Sequence, residues 1–202
     1  MALTQTIAPA REPLTLAEAK SQLRITHVLE DAYITGVLIP AVRDRAQLNT
    51  QRQLIEATFR LDLDDWPGED WIDIPRAPLR SVTSVQYVDA SGVTQTMAPS
   101  DYIVDTPAGD RAARGRVVLA YGKSWPNIRS QANAISITFV AGYGTSPSSV
   151  PGLLRKAMLT DLASAYAQRE DVVVGTIATE LPRSSAAVYR SFKSRARQAR
   201  AS

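Results

Sequence analysis

The residues best suited to chemistry in this sequence are six carboxylates that lie close together in the chain. They are Asp62, Asp64, Asp65, Glu69, Asp70 and Asp73. Asp62 and Asp64 alternate with apolar neighbours, so they project from one face of a strand and could bind a divalent ion through oxygen. The opposite face of that strand is apolar, which favours a simpler interpretation: the carboxylates form the solvated face of the strand and its loop. We therefore predict no metal site and keep a metal-dependent enzyme only as a rival hypothesis.

Other candidates for catalysis lack the partners that catalysis requires. The single histidine, His27, has no nucleophile pattern to accompany it, and no Gly-x-Ser-x-Gly motif is present. The segment from Ala141 to Gly144 follows a strand and precedes a helix, where a phosphate-binding loop could lie. It lacks both the third glycine of a dinucleotide site and the Gly-Lys-Ser/Thr of a nucleotide loop, so we predict a turn with positive φ angles. We expect a protein that is not an enzyme and needs no cofactor.

The charged feature that stands out is the C-terminal segment, residues 181–202, which has six cations and no acid. The cations are Arg183, Arg190, Lys193, Arg195, Arg197 and Arg200. Because the whole chain carries +3, residues 1–180 carry −3. This asymmetry favours a tail that binds an acidic protein surface or the DNA backbone, the latter without sequence specificity.

The composition suits a globular domain that folds in a reducing compartment. The chain has 202 residues, of which 45% are hydrophobic and 21% charged, and it has no cysteine. The first ten residues have no basic region followed by an apolar run, so we expect no signal peptide. No stretch reaches the roughly 20 apolar residues that a membrane span needs. We expect synthesis and assembly in the cytoplasm, without membrane contact.

Helical patterns occupy the two ends of the chain. Thr15 and Glu18 form a capping box that starts a first helix, and a second helix is predicted from Glu30 to Leu48 with a kink at Pro40. The second helix has one set of apolar residues at helical spacing: Ile34, Val37, Leu38, Ala41, Val42 and Leu48. A helix capped by Ser149 or Val150 and a last helix over residues 185–199 follow.

Strand patterns occupy the middle of the chain. Regular alternation predicts a strand over residues 55–64, and shorter strands are predicted over 72–74, 82–88, 93–97, 102–104, 117–121 and 135–140. The predicted fold is therefore α+β, with a helical bundle from both chain ends and an inserted antiparallel β module. We assign residues 13–53 and 148–202 to the helical domain and residues 54–147 to the inserted module.

Several segments, read in order, resemble the head–tail connector (neck adaptor) family of tailed bacteriophages, in its long form with a β insertion. The segments that carry the resemblance are residues 14–24, 41–44, 50–55, 61–67, 74–85, 122–126, 139–144, 150–151 and 166–170. Together they span about residues 14–175. The segment from Ser184 to Ser202 is longer and more basic than the family pattern.

The resemblance implies a non-catalytic subunit of the virion neck. Such adaptors form a ring, commonly of twelve copies, beneath the portal protein. The ring extends the DNA channel and provides a landing surface for a stopper or tail-terminator protein. On this hypothesis the six C-terminal cations face the portal or the genomic DNA that passes through the channel, and the subunit's partners include copies of itself. The alternative is a free-standing DNA-binding protein with a basic tail.

Overall fold

The computed structural model describes residues 1–168 and 183–194 and confirms a mixed α+β fold. The described strands are β1 (Ala2–Ile7), β2 (Ala57–Leu63), β3 (Trp71–Asp73), β4 (Leu79–Val88), β5 (Thr94–Thr96), β6 (Tyr102–Asp105), β7 (Arg116–Leu119) and β8 (Ile135–Ala141). The described α-helices are α1 (Leu16–Leu23), α2 (Asp31–Tyr33), α3 (Ile39–Thr50), α4 (Gly152–Ala167) and α5 (Arg183–Phe192). All seven strands predicted from the sequence are present within a few residues of their predicted bounds.

The strands form two antiparallel sheets that share one apolar core. The five-stranded sheet has the order β1-β2-β8-β4-β5, and the three-stranded sheet has the order β3-β7-β6. Alternate residues of β2 and β8 point inward, as the period of two requires, and Phe59 pairs in register with Phe139. The rings of these two residues stack with centroids 5.6 Å apart. The three-stranded sheet adds Ile72, Val117 and Leu119 to the same buried cluster.

Strand β1 was not predicted from the sequence. It pairs with β2 at the edge of the five-stranded sheet, with Leu3 opposite Leu61. Five of its six residues are exposed, so the strand has no buried face to produce a clear hydrophobic alternation. The sheet therefore also includes residues 2–7, which lie outside the segment assigned to the β module.

A second core lies among the helices. Helix α1 begins with the predicted capping box: the Thr15 hydroxyl accepts from the Glu18 amide, and the Glu18 carboxylate accepts from the Thr15 amide. In α4, Leu154, Met158 and Leu162 lie at helical spacing and are buried on one face. The N-cap of α4 is Pro151, without a side-chain cap, and not Ser149 or Val150. Ser149 instead ends a short 3-10 turn, Pro147–Ser149.

The predicted irregularity at Pro40 takes the form of a π-helical segment. Residues Ile34–Leu38 are π-helical and connect α2 to α3 without a break, and the Ile39 amide donates to the Ile34 carbonyl. A proline presses on the carbonyl four residues earlier in a regular α-helix, and a wider turn before the proline relieves that pressure. We call this continuous segment, residues 31–50, the long helix.

A parallel bridge between Arg52 and Ala77 joins the predicted helical domain (the helical half) to the predicted β module (the β half). A second parallel bridge, between Ile55 and Gly144, connects the two ends of the β half. Gly142 has the predicted positive φ, 136°, and a Cβ there would lie 2.7 Å from the backbone of Glu56. Glycine is therefore required at position 142, where the chain that leaves β8 passes close to the chain that leads into β2. The two buried clusters fit a division into two domains, but the boundaries stay a prediction.

Candidate assembly surfaces

The six predicted basic residues fall only partly within the described chain. Arg190 is exposed on α5, and Lys193 is exposed directly after the end of the helix. Arg183 begins α5, and its side chain lies outside the described residues. Arg195, Arg197 and Arg200 also lie outside the described residues. The role of these six cations stays a prediction.

Helix α5 packs against the helical core through an apolar face. Phe192 and Tyr189 are buried and Val188 is half-buried. The guanidinium of Arg111, from the β half, lies 5.1 Å from the centroid of the Phe192 ring. Because Tyr189 and Phe192 are covered, they are not available to stack on nucleic-acid bases. Arg190 lies on the exposed side of α5, and Lys193 is exposed just after the helix.

A buried hydrogen bond fixes α5 on α4. The Tyr189 hydroxyl donates to Oδ2 of Asp161 at 2.8 Å, and both side chains are buried. Burial, and then the hydrogen bond to Asp161, raises the pKa of the Tyr189 phenol above its ordinary value, so the hydroxyl keeps its proton. This hydrogen bond compensates for the contacts with water that both groups lose on burial.

Arg52 ties the end of α5 to both halves of the molecule. Its side chain is 1% exposed; Nε donates to the Phe192 carbonyl at 2.5 Å and Nη2 donates to the Ala112 carbonyl at 2.7 Å. Desolvation lowers the pKa of this guanidinium from its ordinary value. The Ser194 amide adds a bond of 2.7 Å to the carbonyl of Thr50, the last residue of α3. The last part of the described chain therefore lies at the junction between the halves.

The long helix has a second apolar side, which is exposed. Ile34, Leu38 and Val42 are buried, but Val37 is 51% exposed and Leu48 is 69% exposed. We define the apolar stripe as the exposed residues of this side: Tyr33, Val37, Ala41 and Leu48. Apolar spacing alone cannot show which of two neighbouring apolar faces a core will cover.

Three of the four stripe residues, Tyr33, Val37 and Ala41, lie on a part of the chain that contains no charge, whereas Leu48 follows Arg43, Asp44 and Arg45. From Ala32 to Val42 the sequence has no Asp, Glu, Lys or Arg, although six of these eleven residues are exposed. The exposed side of a helix in a globular protein normally carries charged residues. A Cβ at Gly36 would meet nothing within 4 Å, so the surface there is open. The preceding turn adds Val28 and Leu29, which are also exposed. The exposed apolar residues on this side of the long helix mark a candidate surface for contact with another protein.

The β half exposes a smaller apolar row on the outer face of the three-stranded sheet. Trp71 and Ile103 flank Val118 in register across the three strands. Asp73 and Asp105 flank Arg116 in the next row, and Arg116 pairs with Asp105 at 3.3 Å. This face therefore mixes an apolar row with a charged row, in contrast to the uncharged stripe on the long helix.

The six carboxylates near β2 do not converge. Asp62 is buried and accepts from Nε of Arg60 at 3.1 Å, while Asp64 accepts from the Asn133 amide at 2.9 Å. Asp62 is thus not on a solvated face, because Arg60 and the flanking strands cover it. Among residues 1–168 and 183–194, no group of three or more potential ligands could hold a metal ion. In the same ranges, no helix is long and apolar enough to cross a membrane.

Comparison with known proteins gives matches among solved structures. No protein-family model matches the sequence, and no curated protein matches it. A chain in the virion of a native gene transfer agent particle is 28% identical, with a TM-score of 0.77 and 98% of both chains covered. A chain in the neck of the native particle, computed with C12 symmetry, gives the same values. In the neck of the empty particle, computed with C6 symmetry, the match is 27% identical with a TM-score of 0.77 and 98% coverage of both chains. The likeness therefore extends over the helical and β halves together.

Proposed function

We propose that this protein is a structural ring subunit in the neck of a phage-like particle. The observation that carries the proposal is the likeness over 98% of the chain to chains in the neck of a gene transfer agent particle. The twelvefold or sixfold symmetry with which that neck was computed supports a subunit that contacts copies of itself. Broad contact surfaces and the lack of convergent carboxylates in the described residues fit a subunit that works by shape rather than by catalysis.

The finer role that we propose is the head–tail adaptor. In this role a ring of about twelve copies joins the portal protein to a stopper or tail-terminator protein and extends the DNA channel. The segment resemblance over residues 14–175 supports this role, as does the charge difference between the −3 body and the +6 tail. We assign Arg183, Arg190, Lys193, Arg195, Arg197 and Arg200 to the surface that faces the portal or the passing DNA. The protein would be made in the bacterial host cytoplasm and act in the virion neck.

The experiment that tests the adaptor role removes charge from the tail without removing α5. Deletion from residue 184 would also remove Tyr189 and Phe192, which are part of the helical core, so its failure could reflect misfolding. The better variant changes Arg195, Arg197 and Arg200 to Gln in the full chain, and the matched control changes them to Lys. We expect the Gln variant to lose most of its attachment to portal-bearing heads and the Lys control to keep it, because phosphate or carboxylate attraction depends on charge. Equal attachment of both variants would contradict the assignment of the tail.

A second candidate function is a free-standing DNA-binding protein, which the six tail cations favour. Such a protein binds duplex DNA with an affinity that falls steeply as salt rises. An adaptor binds free duplex only weakly at physiological salt. A salt titration of the purified protein on duplex DNA separates the two: tight binding near 150 mM salt, with a steep slope, supports the DNA-binding protein.

A further inference from the structure

We infer that the apolar stripe of the long helix, residues Tyr33, Val37, Ala41 and Leu48, binds a second copy of this chain and forms one side of the subunit contact in the ring. The inference rests on the proposed function, since a ring needs contacts between copies. It adds a specific surface and a specific occupant, which neither the likeness nor the segment resemblance provides.

The chemistry of the stripe suits a permanent contact between subunits. Val37 and Leu48 are more than half exposed, and no charged residue lies between Ala32 and Val42. Along the helix, Tyr33 and Leu48 are separated by roughly 20 Å at about 1.5 Å per residue. A strip of that length can form the apolar centre of a standard interface, which buries about 800 Å² on each partner.

The symmetry of the similar necks indicates that the occupant is another copy, because the subunits of a ring contact one another. Two bodies that each carry −3 over residues 1–180 can approach through an uncharged surface without an electrostatic penalty. A partner selected by charge, such as DNA, would instead favour a surface rich in lysine and arginine.

The geometry of a closed ring adds a further constraint. Subunits related by a single rotation axis join through two unlike faces, so the stripe of one copy contacts a different surface of the next copy. A contact of stripe with stripe would give a two-fold pair and could not continue around a ring. The linked surface on the neighbour should therefore lie outside residues 31–50.

The absence of cysteine makes the contact easy to map. A single cysteine placed by Val37→Cys gives one labelling site in the full chain, and Val93→Cys gives a matched control in the β half. The two valines are almost equally exposed, 51% and 54%, so both variants should fold and label alike. Each variant is labelled with a maleimide benzophenone, assembled into particles and irradiated, and the cross-linked products are identified by mass and peptide sequencing.

We expect Val37→Cys to give a product of twice the chain mass of 22.0 kDa, with the linked peptide outside residues 31–50 of the second copy. We expect at least fivefold less of that product from Val93→Cys. The inference is overturned by a product with a different neck protein, by a stripe-to-stripe link, or by no product from particles that contain the chain. Particles that contain neither the parent chain nor the labelled Val93→Cys control would instead overturn the proposed function.

A charge substitution provides a second measurement that does not depend on labelling. Val37→Glu should reduce the number of copies incorporated per neck at least tenfold, because a carboxylate would be buried against the neighbouring copy. Val93→Glu should leave incorporation unchanged. Melting temperatures of the two free variants show whether each folds. A folded Val37→Glu variant with normal incorporation would contradict the inference.

Discussion

The β half and the helical half of this molecule are closed by different kinds of contact. The core between the two sheets is filled by apolar side chains such as Phe59, Ile137 and Phe139. The helical core also contains the polar pair of Asp161 and Tyr189, and its boundary with the β half contains Arg52. Apolar packing supplies stability without direction, whereas buried hydrogen bonds require one arrangement. The comparison indicates that apolar packing stabilises the β half, whereas the buried hydrogen bonds fix the position of α5.

The largest effect is expected from a cavity in the β half, which tests whether the two cores are separate units. Phe139→Ala removes a fully buried ring that stacks on Phe59, and should lower the free energy of unfolding by about 3–5 kcal/mol. Urea denaturation measures the total cost, and hydrogen exchange shows in which half the protection is lost. Leu154→Ala is the matched change in the helical core. If Phe139→Ala reduced protection in both halves equally, the two cores would not be separate units.

A smaller effect is expected when one polar partner is removed from the helical half. Tyr189→Phe leaves the Asp161 carboxylate buried without its donor and should destabilise the protein by about 2 kcal/mol. The loss should appear as weaker hydrogen-exchange protection in α5 and α4, with the β half unaffected. The double variant Asp161→Leu and Tyr189→Phe removes both groups and should recover part of the loss. No recovery would indicate that the hydrogen bond does not govern the docking of α5.

The smallest effect concerns the junction and depends on pH. Burial raises the pKa of the Tyr143 phenol to about 12, and its hydroxyl donates to the Asp110 carbonyl at 2.6 Å. Because the folded value lies above the ordinary value of 10, this contribution is complete below pH 10 and is lost as the pH rises towards 12. A pKa difference of about 2 corresponds to roughly 2.7 kcal/mol, and solvent screening reduces this because Tyr143 is only half-buried. Urea denaturation between pH 9 and 12 should show that the free energy of unfolding falls less steeply with pH for Tyr143→Phe than for the parent. Equal declines would refute this role of Tyr143.

The sequence predicted most elements because their local patterns are strong. Strand β2 alternates over residues 55–64, and Thr15 with Glu18 forms the capping box that the structure contains. Strand β1 was missed because an exposed edge strand buries too little to show alternation. The helix period of α4 was correct, but its first residue depended on a 3-10 turn that no pattern indicated.

The proposed contact surface was harder to predict than the fold. Val37, Ala41 and Leu48 have the same spacing as core residues, and only tertiary contacts show that Ile34, Leu38 and Val42 take the buried positions. One signal was available: the chain from Ala32 to Val42 has no charge, although a helix at the surface should carry some. The tail cations were recognised by composition, but a count of charges does not identify the surface that they contact.

The attachment of α5 at the junction also has a mechanical consequence. Any tension on the chain beyond Ser194 reaches the body through the bond from Ser194 to Thr50 and the bonds from Arg52 to Phe192 and Ala112. These bonds involve residues of the helical half and the β half, so the load is divided between two cores. A subunit that is pulled by its C-terminal segment would therefore resist as one body, and the pull would not peel a single helix away from its neighbours.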